Sequence, residues 1–110
     1  MQPVFVYMTA GSIEEARKIG RALVEGRLAA CVNVIPGMSS LYWWQGKVEE
    51  GSETVMIPKT RADLVPQLTE QVKALHSYTV PCVVSIPIEN GNRAFLDWIE
   101  AETQQPRLTA

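Results

Sequence analysis

The chain has 110 residues, which suits one domain built around one core. Hydrophobic residues make up 46% and charged residues 20%, so a globular fold is expected rather than disorder. The formal net charge is -2 with no run of Lys or Arg, which argues against a nucleic-acid partner, and no apolar run approaches the ~20 residues a membrane-spanning helix needs.

Val4-Phe5-Val6-Tyr7-Met8-Thr9 is nearly all apolar, with β-branched and aromatic residues, and predicts a central strand. Gly11-Ser12 ends it, and Ser12 followed by Glu15 is a capping-box signature. Ile13, Ala16, Ile19, Gly20, Leu23 and Val24 follow helical spacing, with Gly26 placed to end the helix. Gly20 on the inward stripe weakens that helix by roughly 0.5–1 kcal/mol relative to Ala, and close approach to the sheet is the expected benefit.

Two β-type runs then meet at Gln45-Gly46, a plausible two-residue hairpin loop. The first arm, Ala29 to Trp44, would span about 50 Å if straight at roughly 3.3 Å per residue. A compact domain of this size is about 35 Å across, so the aromatic tip should overhang its own core and find cover on another chain. Pro36-Gly37 and Gly51 are expected to bend the arms. Pairing through the loop sets Trp43 opposite Val48 and Tyr42 opposite Glu49. Adjacent strand residues face opposite sides, so Trp43 and Trp44 cannot share a pocket; one packs on the sheet and the other meets a neighbour. Tyr42, Trp43 and Trp44 are therefore the candidate oligomer interface. Thr54 to Ile57 reads as a buried strand, and Pro58 conflicts with it by removing a ladder donor; a bulge is expected there, or the local loss of one neighbour.

Thr60 or Asp63 can cap a second helix with Pro66 in its first turns and Leu64, Leu68, Val72 and Leu75 facing inward. His76-Ser77-Tyr78-Thr79 breaks the pattern, and Val80 to Ile88 reads as an edge strand with a proline near each end. Asn92 can cap a short helix with Phe95, Leu96, Trp98 and Ile99 as its apolar face. The expected organisation is one domain over residues 1–103 and a frayed tail over 104–110.

The order β-α-β-β-α-β plus a terminal helix is the α+β, ferredoxin-like sandwich, here with a long bent hairpin between its second and third strands. Its first and third strands lie in the centre and its second and fourth at the edges. Cys31 and Cys82 then fall on opposite edges of one sheet, so an intrachain disulfide is not expected, and both edges are open to pairing with other chains. Two cysteines are too few for a disulfide scaffold, and the first basic residue is Arg17, so a cytoplasmic protein with free thiols is expected.

Ala30-Cys31-Val32-Asn33, Ile35-Pro36-Gly37, Tyr42-Trp43-Trp44-Gln45-Gly46-Lys47, Glu53 and Lys59-Thr60 occur in an order that resembles the CutA divalent-ion tolerance family. The resemblance covers Val4 to Trp98. It implies a ferredoxin-like subunit in a tight homotrimer, similar in architecture to the PII signalling proteins, with a role in tolerance to copper and other divalent metals. One segment departs from the family pattern: where His-Pro-Tyr-Glu-Val-Pro-Glu is usual, this chain has His76-Ser77-Tyr78-Thr79-Val80-Pro81-Cys82. Two carboxylates are gone and a thiol has appeared. Pro58, where an aliphatic residue is usual, is a second departure.

Cys and His are good ligands for copper and zinc, so Cys31, His76 and Cys82 are the candidate metal residues, although no Cys-x-x-Cys or His pair is present. A site using both cysteines would need two subunits, and no obligatory metal is expected. Lys59, His76 and Tyr78 are candidates to line a cleft for a small anion or metabolite, the PII-like alternative. With one histidine and no nucleophile elbow, phosphate loop or metalloprotease motif, an enzyme is not expected. Glu49, Glu50 and Glu53 read as a charged hairpin arm.

Overall fold

The computed structural model describes residues 1–104. Its elements are β1 (Pro3–Ala10), α1 (Ile13–Glu25), β2 (Cys31–Trp44), β3 (Lys47–Arg61), a 3-10 turn (Ala62–Leu64), α2 (Val65–Leu75), β4 (Val83–Pro87) and α3 (Arg93–Glu102). The sheet order is β2-β3-β1-β4 with antiparallel neighbours throughout, which is the ferredoxin-like arrangement expected.

Alternation along β1 sends Val4, Val6, Met8 and Ala10 to one face. There they pack with Ala16, Ile19 and Leu23 of α1, Leu68 and Val72 of α2, and Met56 of β3 in one core. Gly20 lets α1 settle close to the sheet: a Cβ there would stand 3.3 Å from Val32 Cγ1. Ile13 and Val24, expected on the inward stripe, are instead exposed at its margins. A second, smaller core joins Ala30 to Leu96 and Ile99 of α3. Phe95 and Trp98 do not enter it; they lie exposed with ring centroids 5.5 Å apart.

Helix ends follow local chemistry with two departures. Ser12 accepts from Glu15 N, and Asn92 accepts from Ala94 N, as their positions predict. Gly26 is the C-cap of α1, but Arg27 takes the left-handed conformation, with φ 62°. Arg27 N donates to Val24 O and Leu28 N to Leu23 O, the double closure of a Schellman motif. Neither Thr60 nor Asp63 caps α2: the 3-10 turn intervenes, Thr60 Oγ1 donates to the buried Leu28 carbonyl at 2.7 Å, and Asp63 pairs with Arg61. Pro66 does fall in the first turn of α2.

The hairpin closes at Gln45-Gly46, both with positive φ (51° and 79°), in the turn that suits the right-handed strand twist. Trp43 faces Val48 and Tyr42 faces Glu49 across the ladder. The register shifts between Ile35 and Met38, where Gly37 has φ 81°; Pro36-Gly37 therefore inserts one extra residue on β2. Gly51 introduces no such break and pairs with Ser40 in continuous register. Pro58 causes no bulge. It pairs with Val32, while the β1–β3 ladder lapses between Phe5↔Lys59 and Met8↔Met56 and resumes in the same register. The edge strand β4 is shorter than the Val80 to Ile88 run, starting at Val83, because Pro81 has no N–H for the ladder; Ile88 N still reaches Pro3 O. Of the tail expected to fray, Gln104 bonds back to Glu100 O, and 105–110 lie outside the described residues.

Candidate functional site

The sheet face turned away from α1 and α2 carries Tyr7 and Thr9 of β1 and Glu53 of β3 by strand alternation. Two segments wall this region. One is the stretch of β2 just past the bulge, from Met38 to Trp44, and the other is the connection from Ser77 to Cys82. Between them lies a cleft of about 720 Å³. Bulge and cleft are linked by register: Met38, the first paired residue after the shift, stands opposite Glu53.

Glu53 is the only charged side chain lining the cleft. Its Oε1 accepts from Ser40 Oγ at 2.6 Å and its Oε2 from the Tyr78 hydroxyl at 2.9 Å. Burial alone pushes its carboxyl up, but hydrogen bonds from Ser40, Tyr78 and Thr9 outweigh that and hold it below the usual 4.5. The same environment acts in reverse on its neighbours. Burial, then the bond to Glu53, raises the Tyr78 phenol to about 12, and burial with the Glu53 charge raises the Cys82 thiol. Tyr7 is pinned at both ends, its hydroxyl 3.3 Å from Met38 Sδ and its carbonyl in a long contact, 3.9 Å, with Cys82 Sγ.

The connection is anchored from behind. His76 ends α2 with its side chain 0% exposed. Its Nε2 donates to Thr9 O at 2.8 Å and its Nδ1 accepts from Tyr78 N at 3.0 Å, which the neutral tautomer protonated on Nε2 satisfies. Glu15 accepts from Ser77 N at 2.7 Å and from Gly11 N at 3.3 Å. Burial raises its carboxyl, but the Ser77 and Gly11 bonds prevail and leave it low.

The three candidate metal residues fall in different places. Cys31 opens β2 at one sheet edge, opposite Lys59, while Cys82 precedes β4 at the other, and both thiols are free. His76 lies beneath the cleft with both ring nitrogens engaged. Among the described residues no three His, Cys, Asp or Glu side chains are grouped to hold a metal. Of the candidate cleft residues, Tyr78 lines the cleft; His76 supports it from behind, and Lys59 stands on β3 between Cys31 and Phe5, outside the lining. Of the tip aromatics, Tyr42 and Trp44 line the cleft, and Trp43 points elsewhere at 75% exposed. The role of Glu53 was missed when it was read with Glu49 and Glu50. The available signal was its position directly before the buried run Thr54-Val55-Met56, where a carboxylate needs partners.

The family model of the CutA1 divalent ion tolerance protein matches residues 4–102. The divalent-cation tolerance protein CutA of Thermus thermophilus is 53% identical over 98 residues, 89% of this chain and 95% of its own. That of Archaeoglobus fulgidus is 51% identical over 96 residues, 87% of this chain and 93% of its own. A solved structure described as the periplasmic divalent cation tolerance protein CutA from Archaeoglobus fulgidus superposes with TM-score 0.90 at 48% identity, covering 93% of this chain and 99% of that one. The crystal structure of CutA1 from Oryza sativa gives TM-score 0.92 at 41% identity, covering 96% of both chains.

Proposed function

The chain belongs to the CutA1 divalent ion tolerance protein family, and from that premise we propose that it serves divalent-cation tolerance as a non-enzymatic homotrimer that binds copper or a similar ion between subunits. The observation that carries this reading is the placement of one free thiol at each edge of a single open sheet, Cys31 beside β3 and Cys82 before β4. Edge-to-edge pairing that closes into a ring of three would use both edges of every subunit and leave none unpaired. The exposed Trp43 at the hairpin tip, with Tyr42 and Trp44 beside it, supplies the apolar surface for that assembly. The metal is cargo rather than an obligatory cofactor. Cys31 and Cys82 are its ligands, and His76 joins only by releasing the Thr9 carbonyl.

A non-catalytic role is supported by the acid–base character of the cleft. Glu53 is held low, Tyr78 is raised to about 12 and Cys82 is raised, so none of the three is tuned to exchange a proton near neutral pH. We place the protein in the cytoplasm, a reading that two unpaired thiols support. Among the described residues no helix is long and apolar enough to cross a membrane.

Native mass spectrometry with and without copper tests the reading. Three subunits with retained copper, lost when Cys31→Ser and Cys82→Ser are combined, is the expected result. A monomer would remove the assembly, and undiminished copper in the double variant would remove the ligands.

A second reading, a PII-like sensor of a small ligand, is favoured by the cleft itself, which is large enough for a small molecule. Its lining contains no Lys or Arg, so an anion finds no charged partner there.

A further inference from the structure

We propose that the cleft on the open sheet face is a binding site for an organic cation of the alkylammonium class. The inference rests on the small-ligand reading above and names the chemistry of that ligand.

Three observations converge. The first is charge. Glu53 is the only ionised side chain in the lining, and none of the ion pairs among the described residues involves it. Its two partners, Ser40 and Tyr78, are neutral donors that orient the carboxylate without cancelling its charge. A carboxylate accepts at about four lone-pair sites, so two such bonds leave capacity for a ligand N–H or for unscreened attraction to a cation.

The second is the wall chemistry. Tyr7, Tyr42, Trp44 and Tyr78 supply aromatic surface, and Met38 adds a polarisable thioether. The Tyr7 and Tyr78 hydroxyls are already committed to Met38 Sδ and Glu53 Oε2, which fixes those two rings as walls. An aromatic wall beside one carboxylate is complementary to a soft, weakly hydrated cation that gains both cation–π attraction and apolar contact.

The third separates this cation from a metal. A hard divalent ion takes six or more oxygen ligands, and a structural zinc takes four donors of His, Cys or carboxylate type. The cleft offers one carboxylate, no His in its lining and a thiol whose pKa is raised, and no metal-binding group of three is present among the described residues.

The test uses the full-length protein and tetramethylammonium as probe, with tert-butanol as its neutral counterpart of similar shape, read by calorimetry and by tryptophan fluorescence. Tetramethylammonium should bind about tenfold or more tightly than tert-butanol, the discrimination a desolvated cation–π and carboxylate contact supplies. Glu53→Gln should erase that preference. Trp44→Leu, on the rim and 44% exposed, should weaken the probe without unfolding the chain, so the site is tested even if Glu53→Gln fails to fold. Equal binding of the two probes, or an unchanged preference in either variant, would overturn the ammonium class. If tetramethylammonium fails but acetate or phosphate binds in the cleft, the class is wrong and the sensor reading survives. If no probe of any charge binds, both are wrong.

Discussion

The Tyr78 hydroxyl donates to Glu53 Oε2 across 2.9 Å, joining residues 25 positions apart and tying the connection before β4 to the central strand β3. This bond sets both titrations in opposite directions, Glu53 low and Tyr78 high. It also closes a chain of contacts that runs from Thr9 O through the His76 ring and the Tyr78 backbone to the carboxylate. Tyr78→Phe keeps the ring and removes only the donor. A hydrogen bond to a charged group in a part-buried site contributes about 1–2 kcal/mol, so the urea midpoint should fall by that equivalent with an unchanged m-value. A variant as stable as the parent would mean that the bond does not persist in solution.

The two depressed carboxylates predict how stability responds to acid. Glu15 and Glu53 both lie below 4.5 in the folded chain and return to ordinary values on unfolding. A group whose folded pKa is depressed contributes stability that is fully present above its unfolded pKa and is lost as pH falls through its folded pKa. Unfolding free energy should therefore hold level with respect to these groups near neutrality and decline below pH ~4.5. Combining Glu15→Gln with Glu53→Gln should lower stability at pH 7 and flatten the acid decline. An acid slope identical to the parent's would show that other groups control it.

Local signals were legible and long-range partnerships were not. Gln45-Gly46 fixed the hairpin loop because two consecutive positive φ angles suit few other residue pairs, and the pairing of Trp43 with Val48 followed by counting. Ser12 and Asn92 announced their helices because a cap is made within three residues. Thr60 looked like a cap on the same grounds, yet its hydroxyl serves Leu28 O, 32 positions away, since a buried carbonyl after the α1 turn needs a donor. His76 looked like a metal ligand or a helix-closing cation. Its two ring bonds, one to Thr9 O 67 positions away, instead make it the pin beneath the cleft. Glu53 was hidden for the same reason, because Ser40 reaches it only through the register shift at Pro36-Gly37.

Gly20 sits where two effects of similar size oppose each other. Replacing Gly by Ala inside a helix gains about 0.5–1 kcal/mol. The new methyl would stand 3.3 Å from Val32 Cγ1 and 3.8 Å from Met56 Cε, so Val32 on the edge strand must yield by a few tenths of an ångström. Gly20→Ala should leave the midpoint within about 1 kcal/mol of the parent, since overpacking offsets the propensity gain. Gly20→Val adds branches against the same contact and forfeits propensity, and should cost about 2–3 kcal/mol. Thermal unfolding of the pair distinguishes the cases. If Val is tolerated as well as Ala, α1 does not approach β2 this closely.

Arg27 carries a conformational load and an ion pair together, and substitutions can separate them. Its φ of 62° is costly for a residue with a Cβ, and the Schellman closure through Arg27 N and Leu28 N requires that conformation. Its guanidinium meets Glu102 Oε1 at 2.7 Å and Glu102 O at 3.2 Å, joining the end of α1 to the end of α3. The pair is 48% and 42% exposed, so solvent screening limits it to about 0.5 kcal/mol. Glu102→Gln should therefore cost no more than about that amount. Arg27→Ala loses the pair and keeps the left-handed strain. Arg27→Gly loses the pair and relieves the strain, so it should be more stable than Arg27→Ala by about 1 kcal/mol and close to the parent. Because both variants lack the guanidinium, the difference between them measures the backbone alone. Identical denaturation curves for the two would place residue 27 outside the left-handed region in solution.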